Sequence, residues 1–343
     1  MKLGIIGFGG MGCHHSEILK DCAEVRVTRV YDVDPQRLEE ARRRGFAVTQ
    51  SEAELLDSDE VDTVLIATPN DSHAEIAQRA MKKGKHVLLE KPATVTSEEF
   101  SQLVEVSHAC GVVLNVHQNR RYDADFLAVR ELVQSSGIGE VYRIESNVVG
   151  ANGIPGAWRK VRAQGGGMVL DWGVHLIDQM VSLYGRQVES VYCRCSSVYG
   201  EEVDDGFYAE LTFRGGAVCC LTVDTNAFVA KPRWQVFGYN GSAEISGWEQ
   251  PLKAVRPACA EGAQQGIRAG NGFTKTMAPR PDSTVREESR ELPSVPCDVF
   301  YRDMVSALDR GEPLVPEADV QYVLRIMERM FESDRLHQTV KMD

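Results

Sequence analysis

The sequence predicts an α/β fold: an N-terminal doubly wound parallel sheet of the Rossmann type, then an α+β unit with a large, mostly antiparallel open sheet. Three observations predict it. An apolar run opens the chain and stops at Gly7-Phe8-Gly9-Gly10-Met11-Gly12, a G-x-G-x-x-G turn where a buried strand meets a helix. Apolar runs and helix-like stretches then alternate up to residue 120. Beyond that point strand-like alternations follow one another, joined by hairpin-like turns at Arg214-Gly215-Gly216 and Tyr239-Asn240-Gly241. The chain therefore divides into residues 1–120, a dinucleotide-binding domain, and 121–343, a substrate domain.

Each element follows from local chemistry. Gly7 permits the tight turn, Gly9 lets the main chain approach a pyrophosphate, and Gly12 lets the helix pack on the strand. The helix N-terminus, with Phe8, Gly10 and Met11 around it, offers N–H groups to phosphate. Glycines also mark ordinary turns, so the context decides. A second apolar run, Val25 to Val30, ends at Tyr31-Asp32, about 20 residues past the last glycine, where a carboxylate accepts hydrogen bonds from a ribose. Asp32 repels a 2′-phosphate and so favours NAD over NADP; Arg37, nearby in sequence, is the one residue that argues the other way.

A charged helix over Gln36 to Arg44, a short strand at Phe46 to Val48 and a capped helix at Ser51 to Leu56 come next. The third buried strand, Val61 to Ala67, stops at Thr68-Pro69-Asn70, and its carboxyl end should face the cofactor cleft. His73, at the start of the following helix, is either a cleft residue or a cap and packing residue. Helix Ala74 to Lys82 and strand His86 to Leu89 lead to Glu90-Lys91-Pro92. A lysine beside a nicotinamide can bind a substrate oxygen, although a surface Glu-Lys turn reads the same way. Helix Ser97 to Cys110 and strand Val112 to Val116 complete a sheet of about six strands.

In the second part, strands are expected at Val141–Val149, Val188–Val198, Phe207–Phe213, Ala217–Thr225 and Arg233–Phe237. Between the first two lie Trp158-Arg159, the triple glycine Gly165-Gly166-Gly167 and Asp171-x-x-x-His175. Four residues apart on a helix, Asp171 and His175 would share a face, as an oriented imidazole or as a plain ion pair. Residues 253–294 show no sustained period and read as a long excursion, mobile or lying over the cleft. Amphipathic helices follow at Val299–Arg310 and Glu317–His337.

Bulk composition narrows the class. A chain of 343 residues, 43% hydrophobic and 26% charged, suits two globular domains. A net charge of -12 argues against a nucleic-acid or anionic-membrane surface. No apolar run is long enough to span a bilayer, and the first strand begins too early for a signal peptide, so a cytoplasmic protein is expected. Nine cysteines without C-x-x-C fit free thiols; of these Cys13 is the one to watch for reactivity. His14 and His15 are adjacent, poor geometry for two ligands, so no metal is expected.

The order and spacing of the glycine loop, Thr68-Pro69-Asn70, Glu90-Lys91-Pro92, Asn119-Arg120-Arg121-Tyr122-Asp123, Trp158-Arg159, Gly165-Gly166-Gly167 and Asp171-x-x-x-His175 resemble the Gfo/Idh/MocA family of sugar and cyclitol oxidoreductases. His117–Asp125 and Trp172–Gln179 are similar to its inositol and glycoside dehydrogenase subgroup. The resemblance implies that Lys91, Asp171 and His175 line the substrate site, and that the second domain's open sheet makes a homodimer or tetramer. On that basis NAD(H) exchanges hydride with a secondary hydroxyl of a sugar, glycoside or cyclitol, a glucoside C3 hydroxyl being the favoured case. His175 is expected as base, Asp171 as its orienting partner or as a contact for a neighbouring hydroxyl, and Lys91 as donor to the reacting oxygen. Trp158 either lies against a ring face or simply packs, while Arg121, Tyr122 and Arg159 are candidate substrate contacts. Two other readings stay open: an NAD-retaining glycoside hydrolase working by transient oxidation and elimination, and a non-catalytic NAD-binding regulator.

Overall fold

A computed structural model describes residues 1–259, 266–278 and 280–342. Its first sheet is built from β1 (Lys2–Ile6), β2 (Arg26–Tyr31), β3 (Thr63–Ile66), β4 (His86–Leu89) and β5 (Leu114–Val116). The order is β2-β1-β3-β4-β5, all parallel. Helices α1 (Gly10–Ile18), α2 (Pro35–Arg43), α3 (Glu52–Leu56), α4 (His73–Lys82) and α5 (Ser97–Cys110) occupy the crossovers. The strand order reverses between β1 and β3, the place where open α/β sheets bind ligands. Burial on both faces explains why these strands read as unbroken apolar runs; Val64, Leu65 and Ile66 are fully buried. The sheet has five strands rather than about six, because the segment at Phe46 to Val48 makes a single bridge, Val48 to Val30, at the edge.

After α6 (Ala124–Gln134) the chain enters a nine-stranded sheet ordered β15-β12-β11-β10-β6-β9-β8-β7-β16. Its strands begin with β6 (Val141–Val149), which α7 (Val174–Tyr184) separates from β7 (Val188–Ser196), β8 (Gly206–Phe213) and β9 (Val218–Asp224). They continue with β10 (Trp234–Gly238), β11 (Gly241–Ile245) and β12 (Leu252–Pro257). All pairings are antiparallel except β6 with β9, which the intervening helix and hairpin allow to run parallel. Alternating burial along β9 shows one covered and one open face.

The segment 253–294 departs from the expected excursion. β12 and β15 (Val285–Arg290) extend the sheet, and β13 (Ile267–Ala269) with β14 (Gly272–Thr274) forms a separate hairpin; residues 260–265 and 279 of that reading fall outside the described residues. Alternation is weak there because β15 exposes most of its residues, so the pattern carried no burial signal. Helix α8 (Val299–Leu308) returns to the first sheet, where Phe300, Tyr301 and Met304 join the core around Leu3, Ile5 and Phe8. The long α9 (Glu317–Leu336) packs against α5, α7 and β7, and β16 (Val340–Lys341) closes that edge. No described helix is long and apolar enough to cross a membrane.

Candidate active site

A cleft of about 370 Å³ opens at the carboxyl ends of β1, β2, β3 and β4. Gly7, Gly9, Gly10, Met11, Asp32, Thr68, Pro69, Asn70, Glu90, Lys91, Trp158 and Arg159 line it. The loop glycines divide by role. A Cβ on Gly12 would stand 2.1 Å from the Gly7 carbonyl oxygen, so only glycine lets α1 pack there. A Cβ on Gly9 would meet nothing among the described residues within 4 Å, which leaves open space above the first turn of α1. That space, with the unpaired N–H groups of a helix start below it, fits a dinucleotide pyrophosphate. The Asp32 carboxylate is fixed by two main-chain donors, Phe8 N–H at 2.6 Å and Asp34 N–H at 2.8 Å.

The chemistry gathers where the Glu-Lys-Pro turn meets the start of α7. Lys91 donates from Nζ to the Asp171 carbonyl at 2.8 Å and to its Oδ1 at 3.0 Å. Arg159 brings Nε to 3.0 Å of the same Oδ1, an ion pair without hydrogen-bond alignment. Burial opposes charge on Asp171, but Lys91 and Arg159 outweigh it and hold the carboxyl below its usual range. Val169–Gly173 forms a π-turn ahead of α7, so Asp171 and His175 are not ordinary helix neighbours, and among the described contacts no hydrogen bond joins them. Asp171 serves Lys91 instead. His175 is buried, and its Nδ1 has no partner among the described residues. Burial, then the charges of Lys91 and Arg120, hold its imidazole well below the usual range, so it stays neutral and able to accept a proton.

The triple glycine sets this turn. A Cβ on Gly166 would lie 2.4 Å from the Arg159 carbonyl oxygen, and one on Gly167, at φ +106°, would lie 2.3 Å from Asp204 Oδ1. Asp204 accepts the N–H of Val169 at 2.7 Å and, through its own carbonyl, that of Met168 at 3.1 Å. Asn70 donates to the Gly165 carbonyl at 2.8 Å, tying the Thr-Pro-Asn turn to the same loop.

Other candidates lie elsewhere. Phe8 is buried, its ring in the core and its N–H donated to Asp32, and Arg37 is exposed on α2 and absent from the cleft lining. His73 is buried, its ring nitrogens 3.0 Å from the Thr68 and Pro92 carbonyls. Arg121 is bound by both carboxylate oxygens of Asp178, at 2.7 and 2.8 Å, and Tyr122 donates to Asp303. Cys13 is made less acidic by burial, against thiolate reactivity. Sequence reasoning passed over Arg120, which lies 4.2 Å over the Trp172 ring, itself edge-on to His175. Two adjacent arginines in a short turn carry no period to tell them apart.

Comparison with known proteins places this geometry. Residues 1–118 match the model described as the oxidoreductase family NAD-binding Rossmann fold, and residues 126–244 match the GFO/IDH/MocA C-terminal domain. The chain is 26% identical to the NADP(+)-dependent scyllo-inositol 2-dehydrogenase IolW of Bacillus subtilis, over 100% of this chain and 96% of that protein. It is 28% identical to the myo-inositol 2-dehydrogenase of Thermotoga maritima, over 72% of this chain and 73% of the relative. A solved NAD-binding protein from Listeria innocua superposes with a TM-score of 0.95 at 40% identity, covering 99% of both chains.

Proposed function

Because the chain belongs to the GFO/IDH/MocA family of oxidoreductases, we propose that it moves hydride between NAD(H) and a secondary hydroxyl of a polyhydroxylated ring, whether sugar, glycoside or cyclitol. One observation carries this reading: Lys91 lines the cleft under the glycine loop, held by Asp171 and near enough to the buried imidazole of His175 to help keep it neutral. Residues 1–120 then serve the cofactor and 121–343 the substrate.

The bound dinucleotide supplies the hydride acceptor. Lys91, steadied by Asp171, donates a hydrogen bond to the reacting oxygen and favours its alkoxide character. His175 takes the hydroxyl proton at Nε2, since its Nδ1 is enclosed by protein. Trp158, with Arg159 stacked 4.4 Å over its ring, forms the outer wall of the cleft. NAD is favoured because Asp32 presents a fixed carboxylate in the cleft, whereas Arg37 lies off its lining. A C3 hydroxyl of a glucoside is the substrate we would try first. The open face of the nine-stranded sheet, with partly exposed Tyr142 and Tyr208, is the surface we assign to homo-oligomer contacts.

Lys91→Met and His175→Asn test the assignment. Each should lower kcat by about 100-fold or more while leaving the cofactor Kd near wild type. Near-normal turnover in both variants would refute it.

A further inference from the structure

Behind the cleft lies a buried polar cluster that the proposed reaction does not use. Glu90, the residue before Lys91, borders the cleft, but its carboxylate turns inward and the residue is only 5% exposed. Its Oε1 lies 2.7 Å from His15 Nε2 and 2.8 Å from His117 Nδ1. The other ring nitrogen of His15 is hydrogen-bonded to the Tyr301 hydroxyl. The Glu90 Oε2 accepts the N–H of Lys91 at 3.2 Å. Four parts of the chain meet here: α1 below the glycine loop, the end of β4, the end of β5 and helix α8.

The proton positions follow from donor and acceptor counting. A carboxylate only accepts, so His15 carries hydrogen on Nε2 and His117 on Nδ1. Burial, followed by the charge of His117, disfavours a second proton on His15, so its Nδ1 is a lone pair and Tyr301 donates to it. Burial also opposes charge on Glu90, yet the two imidazoles outweigh it and hold the carboxyl well below its usual range. The Glu90 carboxylate and both ring nitrogens of His15 are satisfied by protein alone, although the three ligand atoms lie within 4.8 Å of one another and so could accommodate a metal ion.

We propose that Glu90 is a positioning residue: a carboxylate locked by His15, His117 and Tyr301, whose second oxygen holds the main chain of Lys91 in register with Asp171. Helix α8, 286 residues beyond His15, is thereby tied to the reaction centre. The inference rests on the role given above to Lys91. The charged and titratable groups facing Glu90 are His15 from α1, His117 after β5, Lys91 beside it, His73 from α4 and Tyr301 from α8. Glu90 also acts through space on His175, opposing the effect of Lys91 and Arg120 there.

Glu90→Gln separates the parts. The amide oxygen can still accept from both histidines, but its NH2 then faces the Lys91 N–H, donor against donor. We expect kcat to fall by about 10- to 100-fold, with substrate KM and cofactor Kd close to wild type and Tm lower by a few degrees. The acid limb of the kcat/KM profile should move to lower pH, because His175 loses a nearby negative charge. His117→Asn, which keeps a donor near the Nδ1 position, should retain more kcat than His117→Leu. Wild-type kcat and pH profile in Glu90→Gln would overturn the inference. So would a loss traced wholly to cofactor Kd, which would make Glu90 a cofactor ligand.

A measurement without substrate keeps this result distinct from the proposed reaction. Nitrogen-15 spectra of the histidine rings in the full chain should show hydrogen on His15 Nε2 and His117 Nδ1. The opposite tautomers would overturn the inference whatever the enzyme oxidises, and so would stoichiometric zinc in the purified protein that disappears in Glu90→Gln.

Discussion

Replacing Gly9 and Gly12 separately by alanine should divide cofactor binding from folding. At Gly12 the added Cβ would sit 2.1 Å from a main-chain oxygen, where atoms in good contact stand about 3.5 Å apart, so β1 and α1 must separate. Overpacking of this kind costs about 1–3 kcal/mol, which should lower Tm by several degrees. At Gly9 the Cβ meets nothing within 4 Å, and the residue's φ of -75° suits alanine. The free Gly9→Ala protein should therefore melt like wild type. Its methyl group, however, fills the space assigned to the pyrophosphate, so NADH should bind at least about tenfold more weakly, equivalent to about 1.4 kcal/mol. Titration calorimetry with NADH and thermal melts of the ligand-free proteins measure both. Unchanged NADH affinity in Gly9→Ala would refute the placement of the dinucleotide over this loop.

Other outcomes follow from the same geometry. Asp32→Ala should remove the repulsion of a 2′-phosphate and raise the ratio of NADP to NAD activity, read as kcat/KM for each cofactor; an unchanged ratio would mean that another group sets the preference. Arg120→Met should move the acid limb of kcat/KM to higher pH, since one cation that depresses His175 is gone; a shift to lower pH would contradict the electrostatics. Burial raises the Asp204 carboxyl to about 6, so the fold binds a proton the unfolded chain has released, and ionisation costs it about 3 kcal/mol as the pH rises from below 3.8 through 6. Asp204→Asn keeps an acceptor for the Val169 N–H and removes that cost, so Tm should rise at pH 7.5 and change little at pH 4; a fall at both values would show that the charge itself holds the turn.

Much of this molecule was legible in its sequence because burial left a pattern. The parallel strands are covered on both faces and read as apolar runs, while β9 is covered on one and alternates. The cleft motifs were legible because strand ends and glycine turns are local, and twelve of the expected site residues line one cavity. What the sequence did not show depends on contacts between distant segments. Nothing near Tyr301 announces that it will reach His15, and nothing near Glu90 announces two histidines. The helix period led astray at Asp171 and His175, because Asp204 and the glycines hold a π-turn there and Lys91 claims the carboxylate. Arg121 reads in the sequence as a ligand contact, whereas in the fold Asp178, 57 residues on, neutralises it.

Hydride exchange with a ring hydroxyl at Lys91 and His175 can be read from the NADH absorbance band. Purified protein with NAD would be run against myo-inositol, scyllo-inositol, glucose and simple glucosides, with His175→Asn alongside. NADH should form with one class of ring and nearly disappear in the variant. Release of an aglycone without any accumulation of NADH would contradict it, since the ring would then be oxidised and reduced again within one catalytic cycle.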